Sequence, residues 1–276
     1  MPSGVVLVTG ASTGIGEATA FHLRELGFDP VAGVRRDEDA ERLEGHGLQT
    51  VRLDVTDEAQ IAAAREAIGD GALAGLVNNA GVAVAAPLEY VPLDQFRRQL
   101  EVNLIGQVAV TQAFLPALRR AGGRIVNVSS IGGRVALPLL SPYNASKFAL
   151  EAVSDSLRRE LRPQGIDVIV IEPGGIKTPI WKKGNKLADE LISEMPPEAE
   201  RLYGRLVAGV RRETVKIERE RGLSPRAVAE VIGTALTVER PRTRYVVGRE
   251  AKVRANLARL LPDRAMDRLI GRALGG

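Results

Sequence analysis

Short aliphatic runs alternate along the chain with longer stretches in which apolar residues return every three or four positions. The runs at 5–9, 30–34, 50–53, 75–78, 124–128 and 166–171 predict strands. Several are apolar almost throughout, which implies burial on both sheet faces, and strands of that kind are parallel and need helical crossovers. The helical periodicity supplies those crossovers at 15–26, 38–44, 58–68, 93–120 and 144–161. The pattern therefore predicts an α/β fold with a single doubly wound parallel sheet.

The rhythm changes after residue 171. A Pro/Gly loop leads into a charged region, 181–221, that contains Pro196 and Pro197 and reads as an inserted helical lobe. A helix at 225–238, a strand at 244–247 and an amphipathic stretch at 252–274 complete the chain. A length of 276 residues suits one domain over 1–276. Within it, 1–178 form the core, 179–223 a helical substrate lobe, and 224–276 the last helix, strand and C-terminal helical extension.

Composition narrows the chemistry. The absence of cysteine excludes disulfides, thiolate metal sites and cysteine nucleophiles, and His22 and His46 are the only histidines, so no metal site is expected. The 38 basic and 34 acidic residues leave a net charge of +4, too evenly mixed for a nucleic-acid footprint. No apolar stretch approaches the ~18 residues of a membrane span. Residues 1–4 enter the first apolar run without a charged leader or cleavage site, so the expected location is the cytoplasm.

Directly after the first predicted strand come Gly10, Ala11, Ser12, Thr13, Gly14, Ile15 and Gly16, and then a helix. Gly10 can turn the chain tightly. Gly14 and Gly16 admit close backbone approach, and a helix N-terminus offers free N–H groups to a diphosphate. An ordinary glycine-rich turn is the competing reading. Where a dinucleotide-binding unit usually places an acid for a ribose hydroxyl, this chain has Arg35 and Arg36, with Asp37 only after both. A cation there suits a 2′-phosphate, with Ser12 as a helper, so NADP is favoured over NAD. The competing reading makes both arginines a solvated helix entry balanced by Asp37, Glu38 and Asp39.

Tyr143 and Lys147 stand four apart on a predicted helix and so share a face. A phenol with an ordinary pKa near 10 must be stabilised by roughly 4 kcal/mol to ionise near neutrality. A neighbouring ammonium and a cationic nicotinamide are the expected sources.

The ordered set of the glycine turn, Asn78-Asn79-Ala80-Gly81, Asn103, Ser129-Ser130, Tyr143 with Lys147, and Pro173-Gly174 resembles the short-chain dehydrogenase/reductase family. The likeness runs from Val5 to about Thr178 and implies a Rossmann-type sheet. It implies Tyr143 as proton donor to a carbonyl oxygen, and Ser130 to orient that oxygen, because the family serine precedes the tyrosine by thirteen positions. Ser129 is the reserve. Lys147 is implied to hold the nicotinamide ribose, and Asn103 to support a water-mediated proton path.

The same resemblance brings Asn78, Ala80 and Gly81 beside the cofactor and Asp54, with Val55, to the adenine. Pro173, Gly174, Ile176 and Thr178 are implied at the nicotinamide carboxamide. The implied activity is hydride transfer between NADP(H) and a carbonyl or secondary alcohol. A noncatalytic NADP-binding sensor or scaffold is the alternative.

The segment after Thr178 opens with Pro179, Ile180 and Trp181, followed by Leu187, Leu191, Ile192 and Met195. These suggest a lipophilic small-molecule substrate, with packing of the lobe onto the body as the competing reading, and the chain's texture is nearest the steroid and retinol dehydrogenase branches. The tail has three readings, ranked as packing over the substrate pocket, a subunit contact, and peripheral membrane attachment. Family likeness implies a homodimer or homotetramer joined through the helices that begin near Leu93 and Asn144.

Overall fold

The computed structural model describes residues 3–69 and 71–274, apart from the side chains of residues 182, 183 and 185. Seven parallel strands form one sheet in the order β3-β2-β1-β4-β5-β6-β7. They are β1 (Val5–Val8), β2 (Asp29–Val34), β3 (Gln49–Arg52), β4 (Leu73–Asn78), β5 (Arg124–Val128), β6 (Asp167–Pro173) and β7 (Arg244–Val247). The doubly wound parallel sheet implied by the apolar runs is the fold that forms. Chain direction across the sheet reverses between β1 and β4, the place where such sheets open a crevice at their carboxyl edge.

Alternate strand residues feed two cores. Val6, Val8, Val126 and Ile169 pack with Leu23 of α1 (Gly14–Glu25), Leu43 of α2 (Asp37–Glu44) and Ile232 of α9 (Pro225–Thr237). On the opposite face Leu7, Ile125 and Val168 pack with Ile61 of α3 (Glu58–Ile68), Phe114 of α5 (Gly106–Ala121) and Leu161 of α6 (Ser141–Leu161). This two-sided burial is why the strands lack polar alternation.

The predicted helix 93–120 is divided. α4 (Leu93–Leu100) passes through a π turn, Glu101–Ile105, into α5. At the junction, a Cβ on Gly106 would stand 2.5 Å from the Val55 carbonyl oxygen, so the helix lies against the loop after β3. The π turn carries Asn103, and such turns commonly re-aim a side chain at a functional site.

The lobe consists of α7 (Pro179–Ser193) and α8 (Pro197–Lys216), with a second π turn at Ile217–Arg221. The tail is two helices, α10 (Arg249–Leu260) and α11 (Asp263–Leu274), broken at Pro262 and beginning three residues earlier than expected. α11 seats against α8, where a Cβ on Gly209 would meet the Leu274 carbonyl oxygen at 2.1 Å. Ala251 of α10 presses on Gly174, at 2.9 Å from a Cβ built there. The tail thus braces the lobe and a loop from behind. No residue from 249 to 274 lines the cavity, contrary to the reading that ranked tail-over-pocket first.

Candidate active site

A cavity of about 480 Å³ runs along the carboxyl edge of the sheet from the glycine turn to the lobe. Thr9 fixes the turn to the neighbouring strand: its hydroxyl accepts from the backbone N–H groups of Asn79 and Ala80, at 3.0 Å each. Gly10 has φ +63°, and a Cβ there would lie 2.8 Å from the Ala80 Cα. Gly14 has φ +65°, so both positions exclude ordinary side chains. Ser12, Thr13, Gly14 and Ile15 line the wall, and α1 begins there with no side-chain cap on its first N–H groups. A cavity of this size, with uncapped helical donors and two positive-φ glycines, fits a dinucleotide diphosphate.

Gly16 stands outside that wall. A Cβ on it would be 2.5 Å from both the Asn79 side-chain nitrogen and the Gly10 carbonyl oxygen. Its lack of a side chain makes room for Asn79, whose amide donates to the carbonyls of Thr9 and Gly10 at 3.0 and 3.1 Å. Thr9 and Asn79 were missed as site residues. Their only signal in the sequence was adjacency to the glycines and to Asn78.

At one end Arg35 lines the cavity with Asp54 and Val55, its guanidinium 3.8 Å from the Asp54 carboxylate. Burial pushes the Asp54 carboxyl up. Hydrogen bonds from the Thr56 backbone and hydroxyl, together with the charges of Arg35 and Arg98, outweigh it and hold the group below its ordinary value. Arg36 does not join this wall. It caps α2, and its Nε donates to Asp39 at 2.8 Å, the local pairing expected of a solvated helix entry. Arg98, which does line the cavity, was not anticipated.

Ala80 and Gly81 form the middle of the wall. Asn78 is buried behind it, donating to Thr111 Oγ1 and Asn127 Oδ1 at 2.9 Å each, so it ties β4 to α5 and β5 and does not face the cavity. Asn103 does face it. Its Oδ1 accepts from the Val82 N–H at 2.9 Å, and its Nδ2 donates to the Val82 carbonyl and Ser146 Oγ at 3.0 and 3.2 Å. Gln107 donates to the Ala80 carbonyl at 2.8 Å, and Gln99 brackets Val82 and Val84, both unanticipated supports of the same loop.

Ser130, Tyr143 and Lys147 converge at the far end. Ser130 caps a short 3₁₀ turn, its hydroxyl accepting from the Gly132 N–H at 3.0 Å, and lines the cavity with the Tyr143 phenol. Ser129 also lines the cavity, but its buried hydroxyl has no partner among the described residues. Lys147 lies one helical turn from Tyr143, with Nζ 5.9 Å from the ring centre, and donates to the Val128 carbonyl at 2.8 Å.

Burial pushes the Tyr143 phenol above its ordinary value, against the opposing influence of the Ser130 hydroxyl. It also lowers Lys147 to about 8. The expectation that the lysine lowers the phenol is not met by the protein alone, because desolvation disfavours both charged forms.

Pro173, Gly174, Ile176 and Thr178 also line the cavity. The Trp181 ring centre is 6.1 Å from that of Tyr143, and Ala83, Leu140 and Ile180 complete an apolar cluster around the phenol. Among the described residues no group of acidic or histidine side chains could hold a metal, and no helix is long and apolar enough to cross a membrane.

Fold and site together define a nicotinamide-dependent oxidoreductase, and the chain belongs to the short-chain dehydrogenase family, whose model matches residues 4–188. It is 36% identical to an NADPH-dependent 3-dehydrocapnine reductase of Ornithobacterium rhinotracheale, over 95% of this chain and 94% of that one. It is 39% identical to retinol dehydrogenase 16 of Homo sapiens, over 90% of this chain and 81% of that one. A short-chain dehydrogenase from Burkholderia cenocepacia, solved in complex with NADP, superposes with a TM-score of 0.75 at 29% identity, covering 99% of this chain and 98% of its own. Another solved relative holds NAD.

Proposed function

We propose that the protein transfers hydride between NADP(H) and the carbonyl or secondary alcohol of a lipophilic small molecule. The observation that carries this reading is the meeting of Ser130, Tyr143 and Lys147 at one end of a cavity whose wall includes the uncapped start of α1. When bound, the cofactor supplies or accepts the hydride. Tyr143 gives its phenolic proton to the substrate oxygen in reduction and takes it back in oxidation. Ser130 orients that oxygen. Lys147 holds the ribose, and its ammonium favours the phenolate once charge develops nearby. Asn103, fixed by Val82, supports the proton path toward Lys147. Ile176 and Thr178 face the carboxamide.

Arg35 carries the preference for NADP, since Arg36 is already occupied by Asp39. The apolar cluster of Ala83, Leu140, Ile180 and Trp181 supports a lipophilic substrate. Exposed Ile105 and Phe148, beside and within the long helices α5 and α6, support a homodimer or homotetramer. The test is loss of NADPH absorbance with a panel of apolar and polar ketones. Turnover of apolar ketones with NADPH preferred over NADH is the expected result. No turnover of any member, or equal use of both cofactors, would count against the reading.

A further inference from the structure

The face of α6 that presents Tyr143 and Lys147 continues at the same four-residue step through Glu151 and Asp155. Only the first two line the cavity. Glu151 is buried, its Oε2 accepting from Arg244 Nε of β7 at 3.0 Å, while its Oε1 is buried without a partner among the described residues. A Cβ on Gly133 would lie 3.1 Å from Glu151 Cγ, 3.1 Å from the Lys147 carbonyl oxygen and 2.9 Å from Ser129 Oγ. Glu151 therefore packs in the same wall as Lys147 and the serine segment.

The groups around it are specific. On its own helix are Lys147, Asp155 and Arg158, the last bonded to Asp155. From β6 comes buried Glu172, 3.4 Å from Arg244 and 2.7 Å from Arg134 of the turn after β5. Arg244 also reaches Asp155 at 2.8 Å. Three guanidinium groups thus face three carboxylates, an arrangement that lets a buried carboxylate stay charged.

We propose that Glu151, clamped by Arg244, is a positioning residue for the reaction: its carboxylate keeps Lys147 protonated and its helical face seated, without touching substrate or cofactor. The inference rests on the roles assigned above to Tyr143 and Lys147. Burial drives the Lys147 ammonium toward its neutral form, and Glu151 is the charge that opposes this. In a low-dielectric interior a carboxylate one turn away acts strongly even without a direct ion pair. Removing that negative charge favours the neutral amine, which moves the alkaline limb of ketone reduction to lower pH.

The test uses the full-length enzyme, with kcat and KM for an active ketone measured from about pH 6 to about pH 10. NADP binding is followed over the same range by the fluorescence of Trp181, the chain's one tryptophan. Glu151→Gln, nearly isosteric, should move the alkaline limb down by about one unit, with the ketone KM within about twofold. The pH at which NADP affinity weakens should fall alongside it. Glu151→Asp should recover most of the shift, and Arg244→Gln, which takes away the cation that lets Glu151 stay charged, should move the limb down as Glu151→Gln does.

An unshifted limb and an unshifted binding profile in Glu151→Gln would overturn the proposal, even if activity fell, because a purely structural role lowers turnover without retitrating Lys147. Should Glu151→Gln not fold, an unmoved or raised limb in Arg244→Gln overturns it equally. Tyr143→Phe separates the two readings. If that variant stays active the catalytic assignment fails, and the binding profile of Glu151→Gln still decides the present one.

Discussion

At the Arg35 end of the cavity the guanidinium is 56% exposed and its carboxylate neighbour stands 3.8 Å away. At the Tyr143 end the phenol and the lysine are only 7% and 4% exposed, with every polar contact made inside the fold. The same kinds of charge therefore act in two media. Solvent screens the first end and limits what any one contact contributes, whereas the second end amplifies each proton and each hydrogen bond. Recognition is assigned to the wet end and chemistry to the dry one.

The largest effect that could break this contrast lies at the dry end. Tyr143→Phe removes only a hydroxyl and should lower kcat by about 10²- to 10⁴-fold, read from NADPH oxidation with the best ketone. A loss of less than about tenfold would mean the buried end does not hold the acid. Arg35→Ala comes next. A hydrogen bond to a charged group contributes roughly 1.5 to 3 kcal/mol, and exposure discounts it, so NADP should bind about tenfold more weakly while NAD is nearly unaffected.

Salt sharpens the same comparison. Raising ionic strength toward about 1 M should weaken NADP binding severalfold and leave kcat at saturation almost unchanged. The smallest effect is that of Arg36→Ala, which should alter NADP affinity by no more than about twofold because its guanidinium is already spent on Asp39. A selective loss of NADP binding in that variant would reassign the phosphate contact.

Sheet and crossover positions were legible because buried parallel strands must be apolar on both faces, and Val6 through Val8 or Ile169 through Ile171 carry that requirement in their own side chains. The cavity wall was legible where chemistry is local. Gly10, Gly14 and the Tyr143–Lys147 pair each announce themselves by residue type and spacing. Other features depend on where a side chain points. Arg35 and Arg36 are adjacent and identical in type, yet one lines the cavity and the other, at the N-cap of α2, turns to Asp39. Asn78 and Asn79 divide in the same way, the strand's alternation burying the first and turning the second toward Gly10. The cluster of Arg134, Glu151, Glu172 and Arg244 draws on segments more than a hundred residues apart, and no local pattern encodes it.

The seat of α11 on α8 bears on how such a protein can diversify. The last helix ends with Leu274 against Gly209, on the far side of the lobe from the cavity, and any side chain at 209 would have to displace backbone. Changes in α11 therefore reach the lobe through α8 without touching a lining residue, whereas a change at Ala251 of α10 presses directly on Gly174 in the cavity wall. Variation confined to the last helix can thus reshape the lobe from the back of the molecule, and chimeras exchanging α11 alone should show altered ketone preference at nearly constant cofactor affinity.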